Sequence, residues 1–288
     1  MVLFCNTCFS QDLVYFKSLP TPTGIEKSND PSIPKIGWNR WTTTNFTILS
    51  IDLNQGDYLK NNIEQMKTWC MQRWGLQDMD YKTECRIFCV PNKETMQKLF
   101  NIETSRAETK NDINKNTVNY LWLVLDGRPA EVIPSGLTLV SLREYETATS
   151  RKIGWWAQRG MAALNISIGQ IKTNITYSER FIENNDKMFF SKSLFSITEE
   201  TWRKLSIGEQ NLFDSEAAAL CLMIRKEYGQ SMFLSMLEYS NEKSLKETLG
   251  FSNYTHFDIT FKRFLVNICK DIREGRTPDN YLQILRRD

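Results

Sequence analysis

The stretch LVSLREYETATSRKIGWWAQRGMAAL, residues 139–164, gathers residue types that could do chemistry. Glu144 sits beside Arg143, and Thr147 follows Arg143 by four positions. On a helix, Arg143 and Thr147 therefore point the same way, one turn apart. Arg159 stands directly before Gly160 on what reads as a second helix. A helical carboxylate between two same-face neighbours is the layout in which a general base serves a metal-bound water. The neighbours here do not suit a metal. A guanidinium stays protonated and has no acceptor, so it cannot ligate. Two Arg and one Thr make a site that repels a divalent cation.

The remaining reactive types are few. The single histidine, His256, lies in NYTHFD, far along the chain. Two chemical routes stay open through it: a zinc site with scattered carboxylates, and a Ser-His-Asp triad that uses Asp258. The alternative reading of His256 is a partly exposed residue at a helix start. Seven cysteines are present, with Cys5-x-x-Cys8 and Cys85-x-x-x-Cys89 as the two close pairs. A Cys₄ metal site is conceivable from these four. Cys85 and Cys89 fall on one face of a predicted strand, however, where cysteines usually act as small core hydrophobes. The chain contains no P-loop, dinucleotide fingerprint or G-x-S-x-G elbow.

The elements around these residues follow from periodicity and punctuation. Residues 1–37 carry SLPTPTGIEKSNDPSIPK and read as an irregular, Pro-rich arm. A strand is expected over 43–51. Tyr58, Leu59, Ile63, Met66, Cys70 and Trp74 then recur at helical spacing, with Gly75 as the stop. ECRIFCVP predicts a strand closed by Pro91, and NKETMQKLF a short helix capped by Asn92. Residues 101–116 read as a polar loop. TVNYLWLVLDG reads as an apolar strand ended by Asp126-Gly127, and RPAEVIPSG as a connector. A helix is expected from Leu137 to Ser150, with Leu139, Leu142 and Tyr145 near one face. A second runs from Gly154 to Leu164, with Trp155, Trp156, Met161 and Ala162 inward and Gly160, Ala162 and Ala163 allowing close approach. From about residue 196 the chain reads as helical almost throughout. The expected fold class is α+β: an N-terminal mixed sheet with helices, then a mainly helical C-terminal half.

This order of elements resembles the gluzincin metallopeptidases, in particular their peptidase MA-like branch. The family's H-E-x-x-H helix supplies two zinc ligands and a Glu base, and a later helix of the form W-L-x-E-G-x-A supplies a third ligand. GWWAQRGMAAL is similar to that later helix in everything except the ligand. The similarity continues through Tyr228-Gly229, the SLKETLG turn and the closing FKRFL, and covers about residues 40–268. It implies a zincin-like domain over 38–288, with a sheet-containing lobe at 38–134 and a helical lobe at 135–288. It places Arg143 and Thr147 at the two histidine positions, Glu144 at the catalytic Glu and Arg159 at the third ligand. The resemblance therefore implies a degenerate, metal-free pseudo-peptidase with no catalytic or cofactor-binding residues. One expected consequence is an ion pair of Arg143 or Arg159 with Glu144 or Glu146 in place of the metal.

Bulk properties set the limits. With 36 Lys and Arg against 34 Asp and Glu, spread evenly, the net charge of +2 offers no groove for nucleic acid. No apolar run approaches the roughly 20 residues of a membrane span. Trp69, Trp74, Trp155, Trp156 and Trp202 sit at helical spacing and read as core more than as stacking platforms. An odd cysteine count argues against a disulfide scaffold and for a reducing cytoplasm, with a truncated export signal as the other reading of MVLFCNTCFSQ. Sequons at Asn45, Asn165, Asn174 and Asn253 matter only in a secreted context. The expected role is protein binding or scaffolding with another protein as partner. An active hydrolase with an unrecognised site and a structural component of a phage or secretion particle are the alternatives.

Overall fold

A computed structural model describes residues 24–25, 37–102, 105–111, 116–125, 129–166, 168–179, 189, 191–238 and 242–275. The chain forms two units. One holds the residues up to Trp69 together with Asp78–Glu144, the other Cys70–Gln77 and the residues from Tyr145 onward. The protein is α+β, with a mixed sheet on its N-terminal side and a mainly helical C-terminal half. Among the described residues no helix is long and apolar enough to cross a membrane.

Among the described residues the first unit is built on six strands: β1 (Gly24–Ile25), β2 (Asn39–Thr42), β3 (Phe46–Ser50), β4 (Glu84–Val90), β5 (Arg106–Asn111) and β6 (Thr117–Val124). Their order is β1-β2-β3-β4-β6-β5. The central pairs β3–β4 and β4–β6 are parallel, and the outer pairs are antiparallel. A parallel centre must be covered on both faces, and β6 is accordingly buried from Val118 to Val124. One face carries Leu49, Phe88, Val90, Val118, Tyr120, Trp122 and Val124 in a cluster with Trp38, Met96 and Ile102. Alternation puts Ile48, Cys85, Ile87, Cys89, Leu121 and Leu123 on the other face, all with no exposure.

Helix α1 (Leu53–Gln72) joins β3 to β4. Asp52 accepts from the Gln55 N–H at its start, and Gly75, with φ of 66°, follows its end. Gly56 is required on this helix because an added Cβ would lie 2.2 Å from the Trp41 ring. Helix α2 (Lys93–Phe100) is capped by Asn92, whose side chain accepts from the Thr95 N–H, as expected. Helix α3 (Pro129–Thr149) starts eight residues before the expected Leu137. The connector is thus helical, because burial outweighs the breaker residues: Ile133 and Leu137 are fully buried. Gly136 lets the helix approach β6, where an added Cβ would lie 2.5 Å from Leu121 Cδ1.

Two other expectations need correction. The strand placed over 43–51 begins at Phe46, and a separate strand β2 precedes it. Residues 43–45 turn between them because Glu64 of α1 accepts from Thr43 Oγ1, Asn45 N–H and Asn45 Nδ2. The polar stretch read as a loop over 101–116 contains β5, an edge strand whose partner β6 supplies its ladder. The Asp126-Gly127 turn, Cys5, Cys8 and most of the Pro-rich arm lie outside the described residues.

The second unit is helical: α4 (Trp155–Leu164), α5 (Ile168–Tyr177), α6 (Ser191–Ser196), α7 (Glu199–Arg203), α8 (Ile207–Glu238), α9 (Glu242–Leu249) and α10 (Tyr254–Arg273). Its axis is α8, where Ala217–Ile224 is buried on every side. Non-helical angles at Gly229 break α8 after Tyr228. Helix α4 packs on α8 through Gly160, where an added Cβ would lie 2.5 Å from both Ala217 O and Cys221 Sγ. Trp155, Trp156, Met161 and Ala162 point inward as expected. Asn165 closes α4 by accepting from Trp74 Nε1 at 3.1 Å and donating to Cys70 O at 3.3 Å. Trp69, by contrast, is 38% exposed, so the core reading fails for it.

Candidate functional site

Helix α3 brings Arg143 and Glu144 into the first unit and carries Thr147 in the second. Glu144 is buried, and both of its oxygens are occupied. Its Oε2 accepts from the Lys82 N–H at 2.9 Å and the Thr83 N–H at 3.2 Å, and its Oε1 accepts from Asn119 Nδ2 at 2.6 Å. Asn119 in turn accepts from Thr109 Oγ1 at 2.6 Å, which fixes the orientation of its amide. One turn earlier, Ser141 Oγ shares a hydrogen bond with Tyr81 OH at 2.5 Å, and the Tyr81 N–H donates to Asn45 Oδ1. Glu144 thus pins the segment entering β4 and the start of β6 to α3. Arg143 is half-buried and Thr147 exposed.

In the second unit, Arg159 makes a two-pronged contact with Asp214 of α8: Nε donates to Oδ1 at 2.9 Å, and Nη2 to Oδ2. Its guanidinium lies 4.2 Å from the Trp202 ring centroid and 5.9 Å from that of Trp155. The two indoles meet edge to face at 5.8 Å. The expected ion pair joins Arg143 or Arg159 to Glu144 or Glu146; for Arg159 the structure gives Asp214 instead. Spacing along the chain could not reveal this, since Asp214 lies 55 positions away. Glu146 accepts from the Ile153 N–H at 2.6 Å and so holds the turn before α4.

His256 is exposed in the first turn of α10, as expected, with its N–H donating to the capping Asn253. Its ring stands edge-on to Phe251 at 5.3 Å. Among the described residues no serine hydroxyl bonds to it. Asp258 instead accepts from the Ser191 N–H at 2.8 Å. Cys85 and Cys89 are core residues of the sheet, and burial pushes both thiols up, so neither is a ready thiolate. Three sequon asparagines have structural roles: Asn45 in the β2–β3 turn, Asn165 at the end of α4 and Asn253 as the α10 cap.

Sequence reasoning missed Glu216. It has no exposure and lies on α8 among apolar residues. Burial raises its carboxyl well above the usual range, the Phe189 N–H at 3.1 Å opposes this, and the Asp258 charge adds to it. The available signal was one acid inside the apolar run FDSEAAALCLM.

The chain matches no protein-family model, and no curated protein matches it.

Proposed function

We propose that the chain is a non-catalytic, zincin-like binding or scaffold domain in which the peptidase-like helix pair serves packing. The observation that carries this reading is the state of Glu144. A general base needs an oxygen within hydrogen-bond reach of a water or substrate proton. Both Glu144 oxygens already accept protein donors. Arg159, at the third-ligand position, is committed to Asp214 and Trp202. These are contacts of a framework, and the functional surface of such a domain is a face offered to another protein.

We place the chain in the cytoplasm, where the buried thiols Cys70, Cys85, Cys89, Cys221 and Cys269 stay reduced. Metal analysis of the purified chain with peptidase assays on unfolded protein substrates tests the reading. Activity stays at background, and Glu144→Gln leaves it there. Stoichiometric zinc whose removal abolishes peptide hydrolysis refutes it. Size-exclusion with light scattering separates a monomeric binding module from a self-assembling component.

A further inference from the structure

Helix α10 buries Phe257, Phe261, Phe264, Leu265, Ile268 and Cys269. Its opposite face keeps two large aliphatic side chains in solvent: Ile259 is 56% exposed and Val266 42%. A single exposed aliphatic is ordinary. These two lie seven positions apart, which on a helix is roughly two turns along one stripe. The stripe runs His256, Ile259, Arg263, Val266, Lys270, every member exposed, with steps that alternate three and four. That alternation is the seam along which one helix packs against another.

Charge sets the character of the seam. From Ile259 to Lys270 the chain holds Lys262, Arg263 and Lys270 and no Asp or Glu. All three cations are exposed, and among the described residues none of them takes part in an ion pair. Arg263 and Lys270 alternate with the aliphatics on the stripe, and Lys262 flanks it. An occupant must therefore bring apolar side chains along a narrow line and acids beside them. A second copy of the same face would set cation against cation. The ends of the chain do not supply the acid: residues 1–36 balance three acids with three lysines, and residues 276–288 carry three Arg against two Asp. A membrane-binding helix turns a broad apolar face to lipid. On α10 the broad apolar face is already buried in the protein.

We infer that the outward face of α10 docks an acidic amphipathic helix of a partner protein, with Ile259 and Val266 as the apolar contacts and Lys262, Arg263 and Lys270 as the charges that select it. The inference rests on the reading of the chain as a binding domain and names the surface and the class of partner.

The test uses the full chain and a fluorescein-labelled helical peptide of about three heptads, with Leu along one seam and Glu on both flanks, read by fluorescence anisotropy. A matched peptide with Lys on the flanks is the charge control. The Glu peptide binds saturably, and the Lys peptide at least about tenfold more weakly. Raising NaCl from about 50 to about 500 mM weakens the complex, because the charges meet at a solvated surface. Ile259→Ser with Val266→Ser weakens it by more than about tenfold. Lys262→Glu with Arg263→Glu and Lys270→Glu exchanges the preference, so that the Lys peptide becomes the tighter ligand. All five side chains are exposed, so both variants fold, which unchanged circular dichroism verifies. The inference is overturned by a Glu peptide that does not bind saturably, by equal binding of the two peptides, or by indifference to either variant. Tighter binding of phosphatidylserine vesicles or duplex DNA, abolished in the same variants, overturns it too. Stoichiometric zinc with peptide hydrolysis refutes the proposed function instead, while the peptide titration reads α10 alone.

Discussion

Truncating Glu144 separates a framework carboxylate from a catalytic one. Glu144→Ala strips the partner from one buried donor, Asn119 Nδ2 at 2.6 Å, and from two part-buried ones, the Lys82 N–H at 2.9 Å and the Thr83 N–H at 3.2 Å. An orphaned buried donor costs about 1–3 kcal/mol. The three share one cavity, which water partly refills, so the costs do not add fully. The expected loss is about 2–3 kcal/mol, most of it from Asn119, a large part of the stability of an ordinary domain. Glu144→Gln keeps one acceptor but turns an amide N–H toward a donor, and loses about 1–2 kcal/mol. The exposed Thr147→Ala changes stability by less than about 0.5 kcal/mol. Urea unfolding with a common m-value measures all three. Active-site acids usually behave in the opposite sense, since removing them relieves strain and stabilises the fold. A Glu144→Ala variant as stable as wild type, or more so, refutes the framework role and with it the main support for a non-catalytic domain.

Gly160→Ala places a methyl group against Ala217 O and Cys221 Sγ at 2.5 Å. It lowers stability by about 1–3 kcal/mol despite a helix-propensity gain, and Cys221→Ala restores only part of the loss because the carbonyl remains. Arg159→Ala loses the Asp214 pair and the Trp202 stack, about 1–2 kcal/mol, which exceeds a surface-charge change. A double-mutant cycle with Asp214→Ala shows coupling above about 0.5 kcal/mol, and an unchanged Tm in Arg159→Ala contradicts the assignment. Glu216 gives a pH signature. Its folded-state pKa lies above the usual 4.5, so above that pH the unfolded chain releases a proton that the folded chain keeps. Stability therefore falls as pH rises from 4.5 towards the folded value, by at most about 1.4 kcal/mol per unit, and Glu216→Gln flattens the slope.

The parts of the fold legible in the sequence are those where local chemistry and burial agree. Asn92 caps α2 and Gly75 follows α1, because a side-chain acceptor and a left-handed residue serve those positions in any context. The alternating apolar residues of β4 and the apolar run of β6 mark strands whatever lies beside them. The misread parts depend on a neighbour. Strand β5 is polar, RAETKN, and exists because β6 offers it a ladder. The start of α3 contains Pro134 and Gly136, ordinary turn signals. Here the glycine permits contact with Leu121, and Thr138 Oγ1 donates to Pro134 O at 2.7 Å.

The site shows the same division more sharply. Residue type alone leaves Glu144 equally fit to activate a water or to brace a strand. What decides is the number of donors each oxygen has already accepted, and those come from Lys82, Thr83 and Asn119, on two other parts of the chain. Arg159 follows the same logic, since its charge is answered by Asp214 and its planar face by Trp202. Glu216 is the inverse case: its sequence context, an acid in an apolar helix, already announces an unmet electrostatic demand. The structure adds that Asp258 sharpens this demand, because a second carboxylate brings like charge where a buried acid needs a counter-ion. A saturated carboxylate argues for architecture, and an unsaturated one leaves an electrostatic demand open. Among the described residues Glu216, with Oε1 buried and unpartnered, is of the second kind, and so is Asp57, through its Oδ2.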